Sequence, residues 1–239
     1  RKIKKLGNIH KEELAQWQVY SFDAVSKNIA RLSQRDGTYE NLSMSKDGSF
    51  LIGGYSSFGK PTEIVSISTS ILARRDATYG AILTSSPSSE KILTRSIPNE
   101  FQSINWIIPE IIRFEGKDGT TVPAMIYKPQ NFDAAKKYPV VVFVHGAGYL
   151  QNVYRGWSYY YREYMFHHRL TEKGYVVFEV EYRGSAGLGR DFRTDVYMHL
   201  GGKDLQDQVD GLEYLRQLGY IDADRVGIYG GSYGGFMAL

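Results

Sequence analysis

The feature that most constrains this chain is a serine set among glycines directly after an apolar run. Arg225–Tyr229 leads into Gly230-Gly231-Ser232-Tyr233-Gly234-Gly235, which matches the pattern G-x-S-x-G. Gly230 and Gly234 carry no side chains, so the backbone can pass close to itself while Ser232 is held in an unfavourable conformation. The pattern predicts a sharp strand-to-helix turn that holds the serine hydroxyl at the top of a sheet.

The rest of the second half predicts the sheet that such a turn needs. Val140–Val144 and Tyr175–Val180 are continuous apolar runs, typical of strands buried on both faces. Helical stretches alternate with them, at Trp157–Lys173 closed by Gly174 and at Lys203–Leu218 closed by Gly219. Strand and helix in alternation predict a parallel α/β sheet with right-handed crossovers.

Two finer expectations concern the edges of this sheet and one of its helices. Val122–Pro129, bounded by prolines, is typical of an edge strand. In the second helix the apolar residues fall on one stripe, which we expect to face the core, and the acidic residues on the opposite face. The stripe is Leu205, Val209, Leu212 and Leu215, and the acidic face is Asp204, Asp207, Asp210 and Glu213.

The first half has a different rhythm, of short β-type segments separated by turn signals, which indicates an antiparallel sheet. The segments are Trp17–Phe22, Ile29–Leu32, Phe50–Gly54, Ile64–Ile67 and Ser103–Ile108. Asp47-Gly48 before Phe50 resembles the hairpin of a propeller blade, and about two blades would fit. A small sandwich is the alternative. We therefore expect the end of a β-propeller domain over residues 1–110 and an α/β domain over residues 111–239.

Composition excludes several classes of protein. The 239 residues include no cysteine, so a disulfide framework, a thiolate zinc site, an iron–sulfur cluster and a cysteine nucleophile are ruled out. A formal charge of +3 is too small to predict a nucleic-acid partner. No window approaches the ~20 apolar residues of a membrane-spanning helix, so no membrane partner is expected within this segment.

The residues around the turn predict acyl-transfer chemistry. The amide of Tyr233, at the start of the next helix, is expected to point to where a tetrahedral oxyanion would form. A second donor should follow an earlier strand, and His145-Gly146-Ala147-Gly148-Tyr149 comes directly after Val144. The Gly146 amide and the side chains of His145 and Tyr149 stay open as donors. A dinucleotide fingerprint is disfavoured because Gln151 replaces its third glycine.

Several linked motifs resemble the prolyl oligopeptidase family of serine peptidases, and in their order and spacing its dipeptidyl-peptidase IV branch. They are Tyr138–Gly146, Glu181-Tyr182-Arg183-Gly184-Ser185, Asp207-Gln208, Asp222–Arg225 and Gly230–Gly235. The resemblance implies an α/β-hydrolase domain capped by a β-propeller, a peptide substrate and no cofactor or metal. In this branch the activity often removes N-terminal dipeptides.

The resemblance also implies roles for single residues. Ser232 matches the nucleophile and Tyr233 the residue whose amide lines the oxyanion hole. His145 stands where the dipeptidyl-peptidase branch has a tyrosine whose hydroxyl completes that hole, so His145 and Gly146 are both candidates for the second donor. If a backbone amide is the donor, His145 is expected to be a packed histidine. Arg183 is expected to form a structural ion pair with Asp207.

The triad is incomplete in this sequence. In α/β-hydrolases the order is serine, aspartate, histidine, yet all the histidines (His10, His145, His167, His168 and His199) precede Ser232. We therefore expect an internal piece of a longer enzyme, with the aspartate and histidine beyond Leu239.

Three functions share these residues: a serine peptidase, an acyl-ester hydrolase and a non-catalytic propeller–hydrolase binding protein. The peptidase is favoured. A homodimer stays open, and the resemblance favours a periplasmic or secreted location over the cytoplasm.

Overall fold

The computed structural model describes residues 15–22, 27–69 and 89–239, and the chain divides into two compact units. Unit one comprises Arg1–Asn105 with Arg155–Trp157, and unit two comprises Trp106–Tyr154 with Ser158–Leu239. Among the described residues, no helix combines the length and apolar character that crossing a bilayer requires.

Unit one is built from antiparallel strands. β1 (Tyr20–Phe22) pairs with β2 (Ile29–Arg31), and four further strands form a sheet in chain order: β3 (Thr38–Met44), β4 (Phe50–Ser57), β5 (Lys60–Ser68) and β6 (Glu90–Ile92). The hairpin between β3 and β4 turns at Asp47-Gly48, where Gly48 has φ +73°. A carboxylate oxygen of Asp47 accepts the Ser49 amide at 3.1 Å, which closes the turn.

A small apolar core lies behind these strands, formed by Val19, Leu32, Tyr39, Leu51, Val65 and Ile67. Two sequence predictions need correction. Ser103–Ile108 is not a strand; it follows the short helix α1 (Asn99–Gln102) as a turn and irregular backbone. The strand β3 was missed, because its alternation of polar and half-buried residues is weak.

Unit two has one five-stranded sheet. Its strands are β7 (Glu110–Glu115), β8 (Thr121–Tyr127), β9 (Tyr138–Val144), β10 (Val176–Val180) and β11 (Ile221–Gly230), in the order β11-β9-β10-β8-β7. The predicted parallel strands are confirmed, since β9 is parallel to both β10 and β11. β7 and β8 add an antiparallel part.

The edge position predicted from Val122–Pro129 is wrong. β8 pairs with β7 on one side and β10 on the other, and all but its first residue are buried. Pro123 is accommodated because its carbonyl still accepts the Glu181 amide at 2.9 Å. A proline removes only the donor of its residue.

The helices of unit two are α2 (Tyr161–Glu172), α3 (Arg190–Thr194), α4 (Lys203–Gln217) and α5 (Tyr233–Ala238). α2 begins four residues later than predicted and ends as expected, with Gly174 at φ +83°. Gly219 does not cap α4 in the way that Gly174 caps α2. The helix ends at Leu218, whose backbone is extended with ψ 111°.

The face that α4 buries is the reverse of the one its apolar stripe predicted. Asp204, Asp207 and Asp210 are at most 5% exposed, whereas Leu205 and Val209 are 38% and 42% exposed. Each buried carboxylate has partners: Asp207 binds Arg183, Asp204 accepts the Tyr233 hydroxyl, and Asp210 accepts the Lys117 amide. Leu215 alone of the stripe is fully buried. Polar partners on neighbouring elements, rather than hydrophobicity, determine the orientation of this helix.

Candidate active site

The predicted bend lies between β11 and α5. β11 ends at Gly230, α5 begins at Tyr233, and Ser232 between them has φ 54° and ψ −122° with an exposed side chain. A residue other than glycine rarely adopts positive φ, and holding it there costs about 1–3 kcal/mol. Such strain persists only where neighbouring packing imposes it.

Two glycines impose this backbone path. A Cβ on Gly230 would lie 2.5 Å from the Val144 carbonyl oxygen and 2.6 Å from the Gly234 carbonyl, and a Cβ on Gly234 would overlap that same Val144 oxygen. The β9 end and the first turn of α5 therefore approach more closely than side chains allow. The structure thus supplies the steric reason for glycine at both positions.

The loop after β9 lies against the serine because of strand register. Gly230 pairs with Val144 in parallel strands, so the residues that follow each strand meet at the same edge of the sheet. A Cβ on Gly146 would lie 2.9 Å from the Gly231 carbonyl oxygen and 3.4 Å from Ser232 Cβ. Gly146 is thus adjacent to the serine.

The His145 side chain points into the protein. It is 0% exposed and stacks on Tyr182 with ring centroids 4.2 Å apart. Its Nδ1 lies 2.8 Å from the Gly146 carbonyl oxygen, and its Nε2 lies 3.2 Å from Ser185 Oγ and 3.4 Å from a Glu181 carboxylate oxygen. A ring engaged on both nitrogens in the interior is not placed to contact a substrate at Ser232. His145 is therefore a packed histidine, and the prediction that its side chain is an oxyanion donor is not supported by this geometry.

Tyr233 is anchored by its side chain. Its hydroxyl donates to Asp204 of α4, and its ring packs on Phe236 at 5.5 Å. Burial and the Asp204 carboxylate raise the pKa of Tyr233 to about 12. Its backbone N–H belongs to the first turn of α5, where amides have no acceptor within the helix. This amide is therefore available beside Ser232.

Tyr160, which the sequence did not predict as a site residue, also lies close to Gly146. Of the three consecutive tyrosines before and at the start of α2, Tyr159 is 60% and Tyr161 37% exposed, while Tyr160 is half-buried. A Cβ on Gly146 would lie 3.3 Å from the Tyr160 hydroxyl oxygen. No local pattern marks Tyr160, because only the fold brings the start of α2 to the end of β9.

Arg183 forms the predicted ion pair. Its guanidinium binds Asp207 at 2.7 Å, contacts Asp195 at 3.2 Å and also binds Asp118, and the side chain is 1% exposed. Burial opposes the charge, but hydrogen bonds to Asp207 and Asp118 outweigh it and raise the pKa of Arg183. With every guanidinium nitrogen engaged by the protein, Arg183 has a structural role.

A second buried pair joins His167 of α2 to Glu179 of β10. His167 Nδ1 is 2.8 Å from a Glu179 carboxylate oxygen, and His167 Nε2 is 2.5 Å from the Tyr229 hydroxyl. Burial would raise the pKa of Glu179, but His167, Tyr127 and Asn152 lower it below the ordinary value. The pair ties α2 to β10 and β11.

The contacts of the described histidines do not include a hydrogen bond to Ser232. His145 and His167 are buried in the contacts given above, His168 Nδ1 accepts the Ile107 amide at 3.2 Å, and His199 lies against Gly202. His10 is outside the described residues. Within the described ranges there is also no group of three or more carboxylates and imidazoles arranged to hold a metal ion.

Comparisons with known proteins agree with this site. The profile of the prolyl oligopeptidase family matches residues 157–239. Dipeptidyl peptidase 8 of Mus musculus is 40% identical over 135 residues, covering 55% of this chain and 15% of the relative. Dipeptidyl-peptidase 5 of Schizosaccharomyces pombe is 36% identical over 129 residues, covering 54% of this chain and 18% of the relative. The chain thus spans less than a fifth of the length of these relatives.

Solved structures match over nearly the whole chain. Dipeptidyl peptidase 4 of Porphyromonas gingivalis has a TM-score of 0.73 at 27% identity, covering 95% of this chain and 30% of that one. An acylaminoacyl peptidase of Pyrococcus horikoshii has a TM-score of 0.68 at 25% identity, covering 95% and 32%. The fold is thus an α/β-hydrolase sheet preceded by antiparallel propeller-type strands, and residues 157–239 are similar to the prolyl oligopeptidase family.

Proposed function

We propose that the protein carrying this chain is a serine peptidase that uses Ser232 as its nucleophile and removes dipeptides from peptide substrates. The observation that supports it most is the exposed Ser232 at φ 54° on a glycine bend. The relatives named dipeptidyl peptidases, up to 40% identical over 55% of the chain, support the substrate class.

The proposed chemistry is acyl transfer. Ser232 Oγ bonds to the peptide carbonyl carbon, the π electrons move to the carbonyl oxygen, and the hydroxyl proton passes to a general base. The family resemblance assigns that base to a histidine that follows the serine in sequence. The carbon–nitrogen bond then breaks, the amine leaves with the proton, and water hydrolyses the acyl-enzyme.

The oxyanion needs donors placed before the reaction. In this proposal the Tyr233 amide is one of them, and the loop at Gly146 contributes the other side of the hole. The loop lies close to the serine, since a Cβ on Gly146 would be 3.4 Å from Ser232 Cβ. This proximity supports the assignment. The His145 ring is not part of the proposal.

The test uses the intact protein and a chromogenic dipeptide amide, compared with the ester of the same dipeptide. We expect hydrolysis of the amide, and in Ser232→Ala a loss of kcat of roughly ten-thousandfold or more. Ser103→Ala, an exposed serine of unit one, is the matched control and should retain activity. Turnover of the ester with an inert amide would favour an acyl-ester hydrolase, and no turnover of either would favour a binding protein.

A further inference from the structure

Tyr160 is held at the carboxyl end of β9 by its own contacts. Its ring meets Phe143 edge-on with centroids 5.4 Å apart and lies 6.3 Å from the His145 ring. Its backbone N–H donates to Ser158 Oγ at 3.0 Å. The residue immediately precedes α2 and is half-buried, so part of it remains exposed to solvent.

The hydroxyl of Tyr160 and the serine lie on the same side of Gly146. A Cβ on Gly146 would be 3.3 Å from the Tyr160 hydroxyl oxygen and 3.4 Å from Ser232 Cβ. The space that a side chain at position 146 would fill is therefore bordered by both groups. A side chain at position 146 would therefore crowd both groups.

The backbone of Gly146, beside the phenol, lowers the pKa of Tyr160. Burial has the larger, opposite effect, so the pKa of Tyr160 is raised overall and the phenol keeps its proton at neutral pH. A protonated phenol beside the serine can act as a hydrogen-bond donor.

We propose that Tyr160 is a catalytic residue whose hydroxyl, at the Gly146 loop, donates a hydrogen bond to the oxyanion formed when Ser232 attacks. The inference rests on the serine peptidase function proposed above. It assigns to the start of α2 the side-chain donor that the buried His145 ring does not provide. The donor on the other side is the Tyr233 amide.

The test compares Tyr160→Phe with the wild type in the intact protein. Loss of one oxyanion donor typically lowers kcat by about a hundredfold or more, and we expect that loss with KM nearly unchanged. A dipeptide boronic acid, whose tetrahedral serine adduct carries the oxyanion position, should bind more weakly by a similar factor. Tyr161→Phe, the neighbouring tyrosine that stacks with Arg162, should stay within about twofold.

The outcomes separate this inference from the proposed function. Labelling of Ser232 by a fluorophosphonate in the wild type establishes the nucleophile whatever Tyr160 does. An unchanged kcat in Tyr160→Phe would overturn the inference, and so would a raised KM with unchanged kcat, which indicates ground-state binding only.

If the variant does not fold, 3-fluorotyrosine at position 160 retains the hydroxyl and lowers the phenol pKa. The alkaline limb of kcat should then move to lower pH, and an unmoved limb would contradict the inference.

Discussion

At the scale of single residues, the site depends on where side chains are absent. Gly230 and Gly234 allow β9, β11 and α5 to meet, and the strained backbone of Ser232 follows from that meeting. The cost of about 1–3 kcal/mol at Ser232 is sustained because the end of β9 and the first turn of α5 pack closely around the bend. A change at these glycines should therefore affect both stability and chemistry.

We predict that Gly234→Ala damages the site. The added methyl group would overlap the Val144 carbonyl oxygen and lie 2.9 Å from the His145 carbonyl oxygen. Relieving such a clash moves backbone, which typically lowers the free energy of unfolding by about 1–3 kcal/mol, and kcat/KM should fall at least tenfold. Urea unfolding and peptide hydrolysis measure the two effects.

Gly219→Ala is the matched control for that change. Nothing lies within 4 Å of a Cβ at Gly219, and its φ is not positive. The free energy of unfolding should stay equal to the wild type or rise by up to about 1 kcal/mol. Equal effects of the two substitutions would contradict the close packing described at the bend.

The sequence predicts the bend but not the orientation of the residues around it. Glycine spacing is local information, so Ser232, Gly230 and Gly234 could be identified from six adjacent letters. The direction of the His145 ring depends on Glu181 and Tyr182, which directly follow β10. Contacts that distant in sequence leave no local pattern, and for the same reason Tyr160 was not recognised.

At the scale of elements, α4 shows how a polar network can override an apolar stripe. The stripe predicts that Leu205 and Val209 face the core, yet the buried face carries three aspartates with polar partners. Periodicity measures only the spacing of apolar residues. It does not show that Arg183 is buried and needs a carboxylate.

We predict that Asp207→Ala destabilises unit two strongly. The substitution leaves Arg183, itself 2% exposed, without its bidentate partner, and breaking a buried pair in this way costs about 3–5 kcal/mol. Leu205→Ala, on the exposed face, should cost less than about 1 kcal/mol. Chemical denaturation of the two variants gives the comparison. The reverse order of the two effects would mean that α4 packs by its apolar stripe.

A second element-scale prediction concerns acid stability. The pKa of Glu179 is lowered in the fold by His167, Tyr127 and Asn152. A lowered carboxyl pKa contributes stability that is complete above the ordinary value of 4.5 and is lost as the pH falls through the folded value. The free energy of unfolding of the wild type should therefore fall more steeply with acid below pH 4.5 than that of Glu179→Gln.

The exposed Glu115→Gln, on β7, is the control for Glu179→Gln and should retain the slope of the wild type. Unfolding in urea at a series of pH values gives all three slopes. Identical slopes in the wild type and Glu179→Gln would show that the buried pair with His167 does not depress this carboxyl group.

At the scale of the whole molecule, the order of the two sheet types was predictable and several details were not. Short β-type segments followed by continuous apolar runs predicted antiparallel strands and then a parallel sheet, and the structural matches confirm that class of fold. The antiparallel extension by β7 and β8 was not predicted, because a proline-bounded segment is typical of an edge. The roles of the site residues stay proposals.

The central claim, that Ser232 is an activated nucleophile, is tested most directly by covalent labelling of the intact protein. A fluorophosphonate should modify one peptide, the one containing Ser232, when the adduct is mapped by mass spectrometry. Ser232→Ala should lose the label, and Ser103→Ala should retain it. Undiminished labelling of folded Ser232→Ala, or an adduct mapped to another serine, would contradict the account.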